Sequence, residues 1–126
     1  MTLPNTTASC LDPIALERLQ ELDPSGANKL IERVVAAYLK ALDRMLPELS
    51  EARGETLDLN VVRHISHTLK SSSASLGAME LSERCATIET MVRMGQTEGL
   101  DVLLDGMLEQ VALVRQALLD LSPNAS

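Results

Sequence analysis

One stretch of this chain, residues 59–78, gathers two histidines, a lysine and a cluster of serines: LNVVRHISHTLKSSSASLGA. An imidazole is partly unprotonated near neutral pH and is then a competent nucleophile. An ammonium close by can neutralise an anion as a mobile point charge. On a helix at ~100° per residue, Val62, Ile65, Leu69, Ser73 and Leu76 fall on one side. His67 takes the opposite pole, with Asn60, Arg63, His64, Lys70, Ser71 and Ala74 around it. Ser71 and Ala74, one and two turns on, are small and leave low relief. Ser75 extends the same surface. Phosphoryl transfer needs positioning and charge neutralisation more than elaborate covalent machinery, so this face is suited to carry a phosphoryl group. Spacing alone leaves the plainer reading open, an ordinary exposed histidine beside a solvated lysine.

Other chemistry fits less well. His64 and His67 stand at i,i+3, which can place two ligands on one metal, but only Asp58 and Asn60 offer themselves further and no metal site is expected. Ser71, Ser72, Ser73 and Ser75 lie near histidines without the strand and glycine-flanked elbow of a serine hydrolase. Ser73 points inward, and Ser72 can bond the carbonyl four residues back. Neither a P-loop nor a kinase-type glycine loop is present. The chain is therefore expected to have no ATP-dependent kinase activity of its own, and any phosphoryl group comes from elsewhere.

The elements that position this face read as helices. Asp12-Pro13 pairs a capping carboxylate with proline at the first helical position and predicts a short helix over residues 13–22. Asp23-Pro24 repeats the signal and predicts a longer helix with the stripe Leu30, Ile31, Val34, Val35, Tyr38, Leu42 and Met45, kinked before Pro47 and ending near Gly54. Asp58 caps the central helix, about 28 Å long if unbroken from 59 to 77. The next, over 78–94, carries Leu81, Cys85, Ile88 and Val92, with Glu89 and Arg93 as an i,i+4 pair. The last, over 98–121, tolerates Gly106 inside it. No segment alternates with period two. Amphipathic helices on short loops must bury their stripes against one another, so the expected fold is all-α, an antiparallel up-down four-helix bundle with a short accessory N-terminal helix. Residues 1–11 and 123–126 are expected to be tails flanking one domain over 12–122.

The composition narrows the partners. Eleven basic against 18 acidic residues give a net charge of −7, and Tyr38 is the sole aromatic residue among 126. That balance argues against nucleic acid, whose binding rests on phosphate neutralisation and base stacking, and against an anionic membrane surface. No apolar run approaches membrane-spanning length, and the N-terminus lacks the pattern of a signal peptide. Cys10 in the tail and Cys85 on an apolar stripe are poorly placed to pair, which suits a reducing cytoplasm. The sequons at Asn5 and Asn124 then occur by chance. The starting methionine and short polar tail suggest a free-standing protein, expected to be a monomer.

The run His67-Thr68-Leu69-Lys70-Ser71-Ser72-Ser73, followed by Leu76-Gly77-Ala78, resembles the signature of histidine-containing phosphotransfer domains, H-x-L-K-G-S-S/A with G-A shortly after. Leu81, Cys85, Ile88 and Glu89 resemble that family's following helix, and Tyr38 and Pro47 its preceding one, so the likeness spans roughly residues 12–121. It implies a phosphoryl carrier in a phosphorelay, with His67 as phosphoacceptor and Lys70 neutralising the phosphate. The implied partners are a response-regulator receiver domain and/or a hybrid sensor histidine kinase, with Asn60, Arg63, His64, Ser71, Ala74 and Ser75 on the docking face. No cofactor is expected on this chain; the Mg²⁺ of the transfer belongs to the receiver. Two positions depart from the pattern. Ser71 replaces the usual glycine, and Ser66, expected to point sideways, replaces the frequent alanine. The alternatives are a helical binding module that docks on a receiver or kinase without transfer, and an oligomerising helical protein.

Overall fold

The computed structural model describes residues 11–26 and 29–121, which form five helices and no strand. They are α1 (Pro13–Leu22), α2 (Leu30–Ala52), α3 (Leu59–Ser75), α4 (Met79–Arg93) and α5 (Leu100–Leu121). The expected tails (except Leu11), Cys10 and both sequons lie outside the described residues. Leu11 itself is not part of a tail: it is 7% exposed and joins the core.

Local chemistry explains most boundaries. The Asp12 carboxylate accepts from the Ile14 amide at 2.9 Å, and Asp58 Oδ1 accepts from the Val61 amide at 3.3 Å, so both expected caps are in place. α2 starts at Leu30, later than the Asp23-Pro24 signal predicts. Asp23 ends α1, and its carboxylate reaches across the turn to accept from the Leu30 amide at 3.1 Å. α2 then continues through Pro47 to Ala52. α5 begins at Leu100 rather than 98, because Gly99 takes a left-handed φ of 78°.

The helices form a bundle around a core of aliphatic side chains, among them Leu42, Leu49, Ile65, Leu69, Leu81, Ile88, Leu104 and Leu118. Val92, expected in the stripe of α4, is only half-buried. Tyr38 is buried, and its hydroxyl hydrogen-bonds Ser73 Oγ at 2.8 Å, joining α2 to α3. The Asp58 amide donates to the Ala52 carbonyl at 2.9 Å, so the chain reverses between them. Arg115 of α5 pairs with Asp43 of α2, and Arg53 bridges Asp101 at 2.6 Å and Asp105 at 3.0 Å. A Cβ at Gly106 would lie 2.7 Å from Arg84 Nη1, the tip of a flexible side chain that can move aside.

α3 packs most extensively on α4. The turn between them depends on Gly77, whose φ is +84°. Its carbonyl accepts from the Asp12 amide at 2.7 Å, pinning the start of α1 to this end of the bundle. A Cβ at Gly77 would stand 2.8 Å from both Asp12 N and Asp12 O. Gly77→Ala is therefore expected to cost about 1–3 kcal/mol from the backbone conformation alone. Thermal unfolding should show a lowered Tm, and hydrogen exchange should quicken in α1.

Candidate functional site

α3 turns its apolar stripe into the core, with Val62, Ile65 and Leu69 fully buried. The opposite side carries His67, whose side chain is 63% exposed. Its ring does not swing freely. Nδ1 lies 2.8 Å from Glu89 Oε2 on α4, and the other oxygen of that carboxylate, Oε1, accepts from Lys70 Nζ at 2.6 Å. One carboxylate thus holds the imidazole and the ammonium together. Lys70 is consequently fixed, where the sequence predicts a mobile point charge.

Glu89 is 9% exposed, so its charge is sustained by its partners. The hydrogen bond from Lys70 holds its pKa below the ordinary carboxylate range against the opposing effect of burial, and the bond from His67 adds to it. A carboxylate only accepts hydrogen bonds, so Nδ1 carries the ring proton. Nε2 is left with its lone pair and has no hydrogen-bond partner among the described residues. The arrangement is an oriented, solvent-facing nucleophile with a cation beside it.

α4 is held in register by Ser82, whose hydroxyl donates to the Lys70 carbonyl at 2.8 Å, two turns before Glu89. Between them, Cys85 is fully buried. Burial, reinforced by the Glu89 charge, pushes its thiol up to about 12. In a Cys10→Ser background this thiol should stay unreactive towards a disulfide reagent at pH 8 and react fully once denaturant unfolds the chain. Ser66 is fully buried as well, not turned sideways, and its Oγ has no hydrogen-bond partner among the described residues.

Asn60, Arg63, His64 and His67 line one shallow depression of about 410 Å³, with Glu89 contributing to its wall. Ser71 and Ser75 are exposed further along α3, outside that depression, and Ala74 is half-buried. The Ser75 hydroxyl folds back onto the Ser71 carbonyl at 3.1 Å, and Ser72 does the same to Thr68 at 3.0 Å. His64 and His67 find no third ligand: among the described residues no group of three His, Cys, Asp or Glu side chains could hold a metal ion. No helix among them is long and apolar enough to cross a membrane. Glu89 is the residue that local reasoning assigns wrongly. Arg93, its expected partner, forms no ion pair among the described residues, because Glu89 faces α3. The available signal was a carboxylate one turn after Cys85 on a buried stripe.

Fold and site together define a helical-bundle protein that presents an oriented histidine to solvent. The family model for the Hpt domain matches residues 33–120, and the chain belongs to that family. It is also similar to the phosphorelay protein LuxU of Vibrio harveyi, with 27% identity over 106 residues that cover 84% of this chain and 92% of the relative. No solved structure matches the chain.

Proposed function

We propose that His67 accepts and passes on the phosphoryl group, through Nε2, in the histidine phosphotransfer that characterises this family. The observation that carries the reading is the 2.8 Å contact of Nδ1 with Glu89, which leaves Nε2 as the free ring nitrogen. In the step itself, Nε2 forms an N–P bond with the phosphorus of an aspartyl phosphate. The phosphorus–carboxylate oxygen bond breaks, and the partner's aspartate leaves as a carboxylate. No proton must be lost from the ring. The phosphorylated imidazole retains Nδ1–H and becomes cationic, with the Glu89 carboxylate as its counter-charge. Lys70 stands ready to face the phosphoryl oxygens. Reversal of the same step hands the group on.

In this reading α2 to α5 are an antiparallel up-down four-helix bundle and α1 is an accessory helix that closes one end. The carrier is a cytoplasmic monomer, a setting in which the buried, unpaired Cys85 is unremarkable. Its partners are a receiver domain, which supplies the Mg²⁺, and/or a hybrid sensor kinase. Asn60, Arg63, His64, Ser71, Ala74 and Ser75 lie on the face they approach. The similarity to LuxU, a phosphorelay protein, supports the same assignment. The test is to load ¹⁵N-histidine-labelled protein from a phosphorylated receiver and to locate the new bond by ³¹P–¹⁵N coupling. Coupling to Nε2 of His67 is expected. Coupling to Nδ1, or to either nitrogen of His64, overturns the assignment.

A further inference from the structure

We propose that the outer face of α2, from Arg33 to Arg44, is a cationic rail that steers a protein partner presenting carboxylates around its phosphoryl group. The inference rests on the phosphotransfer reading above and concerns how the partner is recognised.

Charge is distributed unevenly over this acidic chain. α4 and α5 carry seven acidic residues against three basic ones, whereas α3 has Arg63 and Lys70 and no acidic residue at all. The cations also differ in what they do. Arg53, Arg84 and Arg115 are each committed to a carboxylate, and Lys70 is held by Glu89. Arg33, Lys40, Arg44 and Arg63 are exposed and take part in no ion pair among the described residues, and the same holds for Arg18, Lys29 and Arg93 elsewhere on the surface.

Arg33, Lys40 and Arg44 fall at i, i+7 and i+11 on α2, which places them on one stripe. The two acidic residues nearby do not cancel it. Asp43 is turned to Arg115 of α5, and Glu32 is half-buried. Ala36 and Ala37, exposed within the rail, keep its relief low. The rail ends sharply, because the same face turns acidic at Glu48 and Glu51.

The stripe lies at the height of the site. Tyr38 of α2 bonds Ser73 of α3, and the two helices run in opposite directions from the reversal at Ala52 and Asp58. Stepping along both from that pair sets Lys40 level with Ser71, and Arg44 level with His67. Lys40 and Arg44 point outward from α2, while His67 leans from α3 towards Glu89 of α4. A partner seated over His67 therefore meets Arg63 in the same depression and reaches the α2 cations by spreading across both helices. Complementary charge of this kind chiefly accelerates encounter and fixes orientation. The occupant it fits is a protein whose phosphorylatable carboxylate is ringed by further acidic side chains.

The experiment compares the wild type with Lys40→Gln/Arg44→Gln, and with an α5 control, Ala112→Glu/Gln116→Glu, that changes net charge equally. The probe is whichever receiver domain, from a panel charged with acetyl phosphate, labels the wild type fastest. The rail variant should lose about tenfold in kcat/KM at low salt and most of the salt dependence, while the control stays within about twofold. Labelling of His67 by phosphoramidate, which needs no docking, should be unchanged in all three. Wild-type rates and salt dependence in the rail variant would overturn the proposal and leave the phosphotransfer reading standing. If no receiver labels the wild type, that reading fails instead, and the rail is judged by equilibrium binding of the same receivers, where equal affinity for all three proteins refutes it. A rail variant that loses affinity for phosphatidylserine vesicles but keeps receiver transfer refutes it too, in favour of a membrane surface.

Discussion

His67→Gln is expected to reduce phosphoryl uptake from a charged receiver to background, a loss of more than about 10³-fold, as expected when a nucleophile is deleted. Glutamine preserves bulk and polarity and can still face Glu89, so the fold should survive with an unchanged far-ultraviolet spectrum. What it lacks is a lone pair of imidazole basicity at the position of Nε2. His64→Gln is the matched control. That ring is exposed on the same depression but meets no carboxylate among the described residues that would fix its tautomer, so transfer should persist at near the wild-type rate. Single-turnover transfer of radiolabel, followed on a gel, distinguishes the two. Comparable labelling of both variants would remove His67 from the chemistry.

The parts of this molecule that were legible in the sequence are those governed by neighbours within about a turn. Asp12 and Asp58 cap as predicted because a capping carboxylate serves amides only two or three residues away. The stripe of α3, and that of α4 as far as Ile88, read correctly because a helix repeats its own geometry. Asp23-Pro24 misleads for the opposite reason. The same local signal serves here to end one helix, and Asp23 caps the next from seven residues upstream, a distance no capping rule covers. Glu89 shows the limit most clearly. Local spacing offered it Arg93, at a surface value of about 0.2–0.5 kcal/mol. The fold instead turns it towards α3, where a largely buried carboxylate needs two charge-assisted donors and finds them 22 and 19 residues away. The exposed histidine could thus be read from the sequence, but the group that orients its ring required the packing of two helices.

That dependence makes Glu89→Gln the second large effect. The amide keeps the shape and an acceptor oxygen, but removes the charge that balances Lys70 and the phosphorylated ring. The tautomer of His67 loses its bias, and Lys70 is freed from the carboxylate that holds it beside the ring. Transfer should fall roughly 10- to 100-fold, the range found when the partner that orients an imidazole ligand is removed. Rescue would be expected from Glu89→Asp only in part, since the shorter side chain cannot reach both donors. Stability provides a second readout with a defined sign. The Glu89 carboxyl has its pKa lowered in the folded state, chiefly by Lys70 and further by His67. Such a group contributes stability that is complete above its unfolded value, near 4.5, and is lost as the pH falls through the lower folded value. The wild type should therefore exceed Glu89→Gln in unfolding free energy by a constant margin of about 1–3 kcal/mol at neutral pH. That margin should shrink on acidification below about 4.5. Urea titrations of both proteins across pH 3–7 measure it directly. A margin independent of pH would mean that Glu89 is not ionised in the folded protein, and with that the orientation of His67 by a charged acceptor would fail.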